Sequence, residues 1–446
     1  MRKSNPKTEI GIRCCVMMLA DKKSEGCFSD MGTLIVNGGR KLDGAVSVHG
    51  AKNSVLPILA ATILNSGTSV IHNCPRICDV DAAIAILRYI GCDITFEKNT
   101  VTVDSQNAKN YKIPDEMMRE MRSSVIFMGA VLARLGKVSL FTPGGCELGA
   151  RPVDLHISSL KKLGAHIEED GGAIKCHGRH MKGNDIVLSF PSVGATENTM
   201  IAATACEGRT RIINAAREPE IVDLQNFLVK MGADVTGAGS SMIVINGKKK
   251  LHGAEHTIIP DRICAATFMC AGALCGGHIR VENIIPEHVQ TMASFLEGTG
   301  CDVKIGHDFA EIKRCGELSA IPAVKTLPYP GFPTDAQPPL MALATKCMGT
   351  TTFVENIFDR RYRHAEGLMR MGADIKIEGK IALVSGVEEL YGCDVETTDL
   401  RGGAALVIAA MAAKGKSKIG AVGHIDRGYE KIEEDMTRLG ADIVRR

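Results

Sequence analysis

Met371-Gly372-Ala373-Asp374 is one of six near-copies of a single four-residue pattern, and those copies decide the fold. The others are Ile90-Gly91-Cys92-Asp93, Leu163-Gly164-Ala165-His166, Met231-Gly232-Ala233-Asp234, Thr299-Gly300-Cys301-Asp302 and Leu439-Gly440-Ala441-Asp442. Their glycines stand 73, 68, 68, 72 and 68 residues apart. A glycine placed between an apolar stripe and a short strand is the residue that accepts a left-handed turn at a helix C-terminus. Ahead of the second copy the stripe is explicit, with Val153, Ile157, Leu160 and Leu163 on one face. Self-similarity at a fixed period predicts one supersecondary unit used six times.

A second helix recurs at the same period. Residues 58–71, 128–140, 200–212, 268–279, 341–353 and 408–419 each read as a small-residue apolar run closed by glycine and a short strand. Helices apolar on every face are buried on every face. Each unit of about 70 residues is therefore expected to hold one buried helix, one surface helix and several short strands. Six such units exceed one core, so two domains of three repeats each are expected.

The chain has 446 residues, 45% of them hydrophobic and 23% charged, which suits a globular protein and excludes a disordered one. With 53 Lys and Arg against 51 Asp and Glu, it carries no electrostatic footprint for nucleic acid. The longest unbroken apolar run, 404–413, is half a membrane span. Sixteen cysteines lie scattered from Cys14 to Cys393 with no Cys-x-x-Cys, which reads as small reduced core residues of a cytosolic protein and gives no zinc site. Residues 1–30 are polar and basic and read as a disordered extension outside the fold.

The six buried helices share an entry chemistry. Gly50-Ala51-Lys52-Asn53-Ser54, Met121-Arg122-Ser123-Ser124, Val193-Gly194-Ala195-Thr196-Glu197, Pro260-Asp261-Arg262, Pro333-Thr334-Asp335 and Thr398-Asp399-Leu400-Arg401 all carry helix-capping side chains. Capping does not explain Lys52, Arg122, Arg262 and Arg401, because a cation is unfavourable at the positive end of a helix. Those four point to an anion shared between cation and helix end, in a cleft suited to several phosphates or carboxylates.

Three further segments carry chemistry. In the Gly- and Pro-punctuated loop 141–154, Cys146 follows Gly144-Gly145 and precedes Arg151, a setting for a reactive thiol or for a structural loop cysteine. Asp335 ends a Pro-rich approach, 327–335, and is either a helix cap or a positioned general base. In His424-Ile425-Asp426-Arg427-Gly428-Tyr429-Glu430, Arg427 is the ligand-facing guanidinium, with Asp426 and Glu430 holding it. Arg217-Glu218-Pro219-Glu220 reads as a structural ion-pair corner. Gly415-Lys416-Ser417 is not a P-loop, since Ala410 stands where that motif requires glycine.

Taken together, these segments resemble the UDP-N-acetylglucosamine 1-carboxyvinyltransferases, enolpyruvyl transferases of peptidoglycan synthesis. The carrying residues are 50–53, 121–124, 143–156, 192–196, 216–221, 332–335, 399–401 and 424–430, in the family's order from about Met31 to the C-terminus. The Cys146 loop separates this family from the shikimate-using transferases. The resemblance implies an inside-out α/β barrel fold. Its N-terminal domain is 52–259 and carries the Cys146 loop; its discontinuous C-terminal domain is 31–51 plus 260–446. It implies transfer of the enolpyruvyl group of phosphoenolpyruvate to the 3'-hydroxyl of UDP-N-acetylglucosamine, by addition and elimination, in the cytoplasm and with no cofactor or metal. Cys146 would protonate the methylene carbon and react with fosfomycin. Asp335 would take the hydroxyl proton. Lys52, Arg151 and Arg427 would surround phosphoenolpyruvate, with Arg401 near its carboxylate. Asn53, Arg122, Arg151, Pro152, Val153, Asp154, Leu155, Ser192, Val193, Gly194 and Ile357 would bind the UDP-sugar. Two departures stand out: the N-terminal extension, and Ile126 where some members carry Trp.

Overall fold

The computed structural model describes residues 32–121, 123–141, 153–247 and 250–446. One sheet shows the plan of all. Strand Gly277–Glu282 lies parallel to Leu42–Ser47 and antiparallel to Phe309–Arg314, which in turn pairs antiparallel with Cys301–Ile305. The same order recurs around Thr68–His72, Arg209–Ile213, Thr350–Val354 and Lys416–Gly420. In the second unit the parallel strand shrinks to a single bridge, Lys112 to Ser139, beside the three strands Lys137–Phe141, Ala173–His177 and His166–Asp170. Among the described residues these are separate small sheets.

Each surface helix turns into its strand through a glycine of the repeated pattern. All six of these glycines adopt positive φ, from 93° to 112°. A side chain there would strain the backbone, so the pattern's constant residue is a geometric requirement.

The apolar helices lie inside and the sheets outside. Lys52–Ala61, Phe127–Leu135 and Val193–Ala203 pack on one another, and so do Arg262–Cys275, Gln337–Ala344 and Leu400–Ala412. Small residues allow this approach: Gly129 donates its N–H to Asn198 Oδ1 at 2.6 Å, and a Cβ on Gly129 would collide with Asn198. The buried apolar residues accordingly form two clusters. One runs from Ala51 to Ile258, and the other joins Leu34 to Val48 with Ile263 to Ile443.

Three strands are borrowed across the chain. Leu34–Asn37 sits between Lys416–Gly420 and Asp442–Arg445, and Leu42–Ser47 completes the fourth sheet. Glu255–Thr257 returns to pair with Thr68–His72 and completes the first. The chain therefore passes between the two cores twice, near Gly50 and near Pro260, where those residues form an antiparallel bridge.

Most described cysteines are free and buried, as small core residues. No described helix is long and apolar enough to cross a membrane. Residues 1–30 lie outside the described residues.

Candidate active site

The helix Lys52–Ala61 takes no side-chain cap from its own N-cap residue, Ala51, and presents Lys52 as its first residue. Lys52 Nζ lies 2.7 Å from Asp79 Oδ2, and Asp79 sits in the first turn of Cys78–Ile90, where a carboxylate suits the helix dipole. Arg427, from the turn Val422–Arg427, forks onto the same carboxylate, Nε to Oδ1 at 2.8 Å and Nη2 to Oδ2 at 3.1 Å. All three side chains are buried. Burial opposes ionisation of Asp79, but Lys52 and Arg427 outweigh it and hold the carboxyl below its usual range. Lys52 is lowered to about 8, first by burial, against the attraction of Asp79 and with the repulsion of Arg427 and Arg401.

A second group of charges adjoins the first, because the Lys52 N–H donates to Asp261 Oδ2 at 3.2 Å. Asp261 caps Arg262–Cys275 by accepting from the N–H groups of Ile263 and Cys264. Asp399 caps Leu400–Ala412 in the same way, accepting from Arg401 and Gly402. Arg401 is 2% exposed, with Nε 3.5 Å from Asp335 Oδ2 and Nη2 4.0 Å from Asp261 Oδ2. Among the described residues, none of its three guanidinium nitrogens completes a hydrogen bond of good geometry. Arg361 donates to Asp335 Oδ1 at 3.0 Å and to the Thr334 carbonyl at 2.9 Å, and approaches Asp399 at 3.6 Å. Asp335 therefore does not cap its helix; two guanidiniums grip its carboxylate, one on each oxygen.

The remaining expected residues fall into two places. Val153, Asp154 and Leu155 begin the helix Asp154–Lys162, and Ser192 caps Val193–Ala203 by accepting from Ala195. His156 joins the two starts: a Cβ on Gly194 would lie 3.1 Å from its Cε1, and its Nδ1 meets Asn198 Nδ2 at 2.8 Å. Ile357 is brought towards Asp335 by Glu355, whose Oε1 accepts both the Ile357 N–H at 2.8 Å and the Thr334 hydroxyl at 3.2 Å. Asn53 is half-buried beside Lys52. Arg122, Cys146, Arg151 and Pro152 lie outside the described residues.

Two sequence expectations are corrected. Arg262 is no open anion ligand: it is half-buried and bidentate on Glu220, Nε to Oε1 at 3.0 Å and Nη2 to Oε2 at 3.3 Å. Asp426 and Glu430 do not hold Arg427. Asp426 takes Arg445 at 2.7 Å, and Glu430 accepts the Arg76 N–H at 2.7 Å. Asp79 and Arg361 were missed. An acid in a first helical turn, as at Asp79, carries no distinguishing sequence signal, and Arg361 stands in Arg360-Arg361-Tyr362-Arg363-His364, a charge run of the kind a solvated face also has.

The arrangement gathers buried cations from two cores around a gripped carboxylate, which suits an anionic substrate losing a proton. Residues 36–436 match the family model EPSP synthase (3-phosphoshikimate 1-carboxyvinyltransferase), and the chain belongs to this family of enolpyruvyl transferases. Its curated relatives narrow the class to the UDP-N-acetylglucosamine 1-carboxyvinyltransferases. UDP-N-acetylglucosamine 1-carboxyvinyltransferase 2 of Caldanaerobacter subterraneus subsp. tengcongensis is 53% identical over 93% of this chain and 100% of its own length. The protein of that activity from Finegoldia magna is 47% identical over 91% of this chain and 96% of its own. Among solved structures, the enolpyruvyl transferase NikO from Streptomyces tendae superposes with a TM-score of 0.84 at 25% identity, over 93% of this chain and 98% of that one. EPSP synthase from Acinetobacter baumannii, at a TM-score of 0.71 and 19% identity over 93% of this chain and 100% of that one, shares the fold.

Proposed function

We propose that this transferase moves the enolpyruvyl group of phosphoenolpyruvate onto the 3'-hydroxyl of UDP-N-acetylglucosamine and releases phosphate. The observation that carries the reading is Asp335 held beside Arg401, a buried guanidinium that faces Asp335 and Asp261 at 3.5 and 4.0 Å and completes no hydrogen bond among the described residues. Asp335 accepts the hydroxyl proton as the sugar oxygen bonds to C2 of phosphoenolpyruvate. Cys146 gives its proton to the methylene carbon, which becomes a methyl group. The thiolate left on Cys146 then takes a proton back from that methyl group, the C2–C3 double bond reforms, and the bond from C2 to the phosphate oxygen breaks to release phosphate. Lys52, Arg427 and Arg151 neutralise the phosphate, and Arg401 faces the carboxylate, so charge is stabilised by preorganised donors. Asn53, Arg122, the segment 151–155, the segment 192–194 and Ile357 hold the UDP-sugar. Two lobes, 52–259 and 31–51 plus 260–446, close over both substrates. The reaction serves cell-wall synthesis in the cytoplasm, and Cys146 is the thiol that fosfomycin alkylates.

Phosphate release with both substrates tests this. Wild type should release phosphate only when both are present, Cys146→Ser should lose most of that activity, and Asp335→Asn should lower kcat by roughly a hundredfold or more. Equal turnover with shikimate 3-phosphate as acceptor, or full activity in Asp335→Asn, would overturn the reading.

A further inference from the structure

The two passages of the chain between its cores are bonded to each other. Ala51 N–H donates to the Ile259 carbonyl at 2.7 Å, and Asp261 N–H to the His49 carbonyl at 2.9 Å. Gly50 lies so close to Asn73 that a Cβ would collide with its carbonyl oxygen, and Asn73 Nδ2 donates to the Ile258 carbonyl at 2.9 Å. This short ribbon leads directly into Lys52 on one passage and into Asp261 on the other. A slip in the ribbon therefore moves a site cation relative to Arg401.

A single buried carboxylate anchors it. Asp223, from the helix Pro219–Lys230, is 3% exposed. Its Oδ2 accepts the Ser54 hydroxyl and, at 3.3 Å, the Ile259 N–H; its Oδ1 meets His256 Nε2 at 2.8 Å. Ser54 is in the first turn of the helix that begins at Lys52, Ile259 is in the second passage, and His256 is on the strand leading to it. A buried carboxylate with this many donors fixes their relative positions, because losing any one leaves an unsatisfied polar group in the interior.

We propose that Asp223 is a positioning residue of the active site: through Ser54 and Ile259 it holds the paired passages in place against the turn that presents Lys52. Asp223 touches no substrate. The proposal rests on Lys52 being a cation of the phosphoenolpyruvate site, and two measurements keep the two readings separable.

The variants are Asp223→Asn, whose amide must oppose one of these donors with its own N–H, and Ser54→Ala, with Ser54→Thr as the conservative control. Hydrogen exchange of the Ala51, Ile259 and Asp261 amides should accelerate about tenfold in the first two, with core-helix amides unchanged. In steady-state phosphate release, KM for phosphoenolpyruvate should rise about fivefold while KM for the UDP-sugar stays put, and Ser54→Thr should restore it. Wild-type exchange at the three amides would overturn the proposal, as would a fall in kcat with both KM values unmoved. If wild type releases no phosphate, the functional reading fails, and the exchange data still decide whether Asp223 holds the ribbon.

Discussion

Asp79 and Arg427 stand 348 residues apart in the chain and meet in a two-point ion pair that joins the two cores. The carboxylate also takes Lys52, so one buried anion is shared by two cations of the candidate site and leaves the group one positive charge in excess. An acid in this position stands where a substrate anion would otherwise be needed.

Asp79→Asn should therefore destabilise the ligand-free protein, by about 3–5 kcal/mol for a broken buried pair. Added inorganic phosphate should raise the thermal midpoint of this variant more than that of wild type, because a bound anion replaces the missing charge. Equal phosphate responses in the two proteins would remove Asp79 from this role.

Lys52 should set the basic side of the pH profile. A lysine held at about 8 in the folded chain, against 10.5 unfolded, binds its proton less tightly when folded. Its contribution to stability thus grows as pH rises from about 8 towards 10.5, while its charge fades over that range. Affinity for phosphoenolpyruvate should fall as pH passes about 8. Direct binding measurements on Lys52→Arg should show that fall abolished, since a guanidinium stays charged.

The Glu220–Arg262 pair should be structural. Glu220→Gln leaves Arg262 without its carboxylate, a loss of about 3–5 kcal/mol in chemical denaturation. Glu197 lies close by, and burial together with the charges of Glu220 and Glu218 pushes its carboxyl well above the usual range. A carboxyl whose ionised form burial disfavours loses little on becoming an amide, so Glu197→Gln should change stability by less than about 1 kcal/mol. A large loss in Glu197→Gln would show that its carboxylate form is the one the fold uses.

His156 makes the fold acid-sensitive. It is buried and its Nδ1 meets an amide donor, Asn198 Nδ2, so the neutral ring is favoured and the group is lowered from 6.5 to about 4 by burial. Below pH 6.5 the unfolded chain gains a proton that the folded chain refuses, so stability is lost as pH falls towards 4. The loss should approach about 3 kcal/mol at pH 4 and shrink in His156→Gln, read as denaturation midpoints against pH. An unchanged slope in that variant would assign the acid sensitivity elsewhere.

Much of the fold was legible because its signals are local. The six pattern glycines announce left-handed turns, and the apolar helices announce their own burial. Candidate site residues were legible where a cation broke the capping rule, as at Lys52 and Arg401, which the fold brings into adjoining groups of buried charges. The same rule misread Arg262, because it cannot tell a cation awaiting substrate from one already paired with Glu220.

The sequence by itself determined the period, the turns and the alternation of buried and surface helices, since backbone sterics and helical periodicity act over a few residues. Only the tertiary structure decided which carboxylate meets which cation: Asp79 with Lys52 and Arg427, Asp335 between Arg361 and Arg401, Glu220 with Arg262. An ion pair is fixed by distance and burial in space, and neither is written at any one position of the chain.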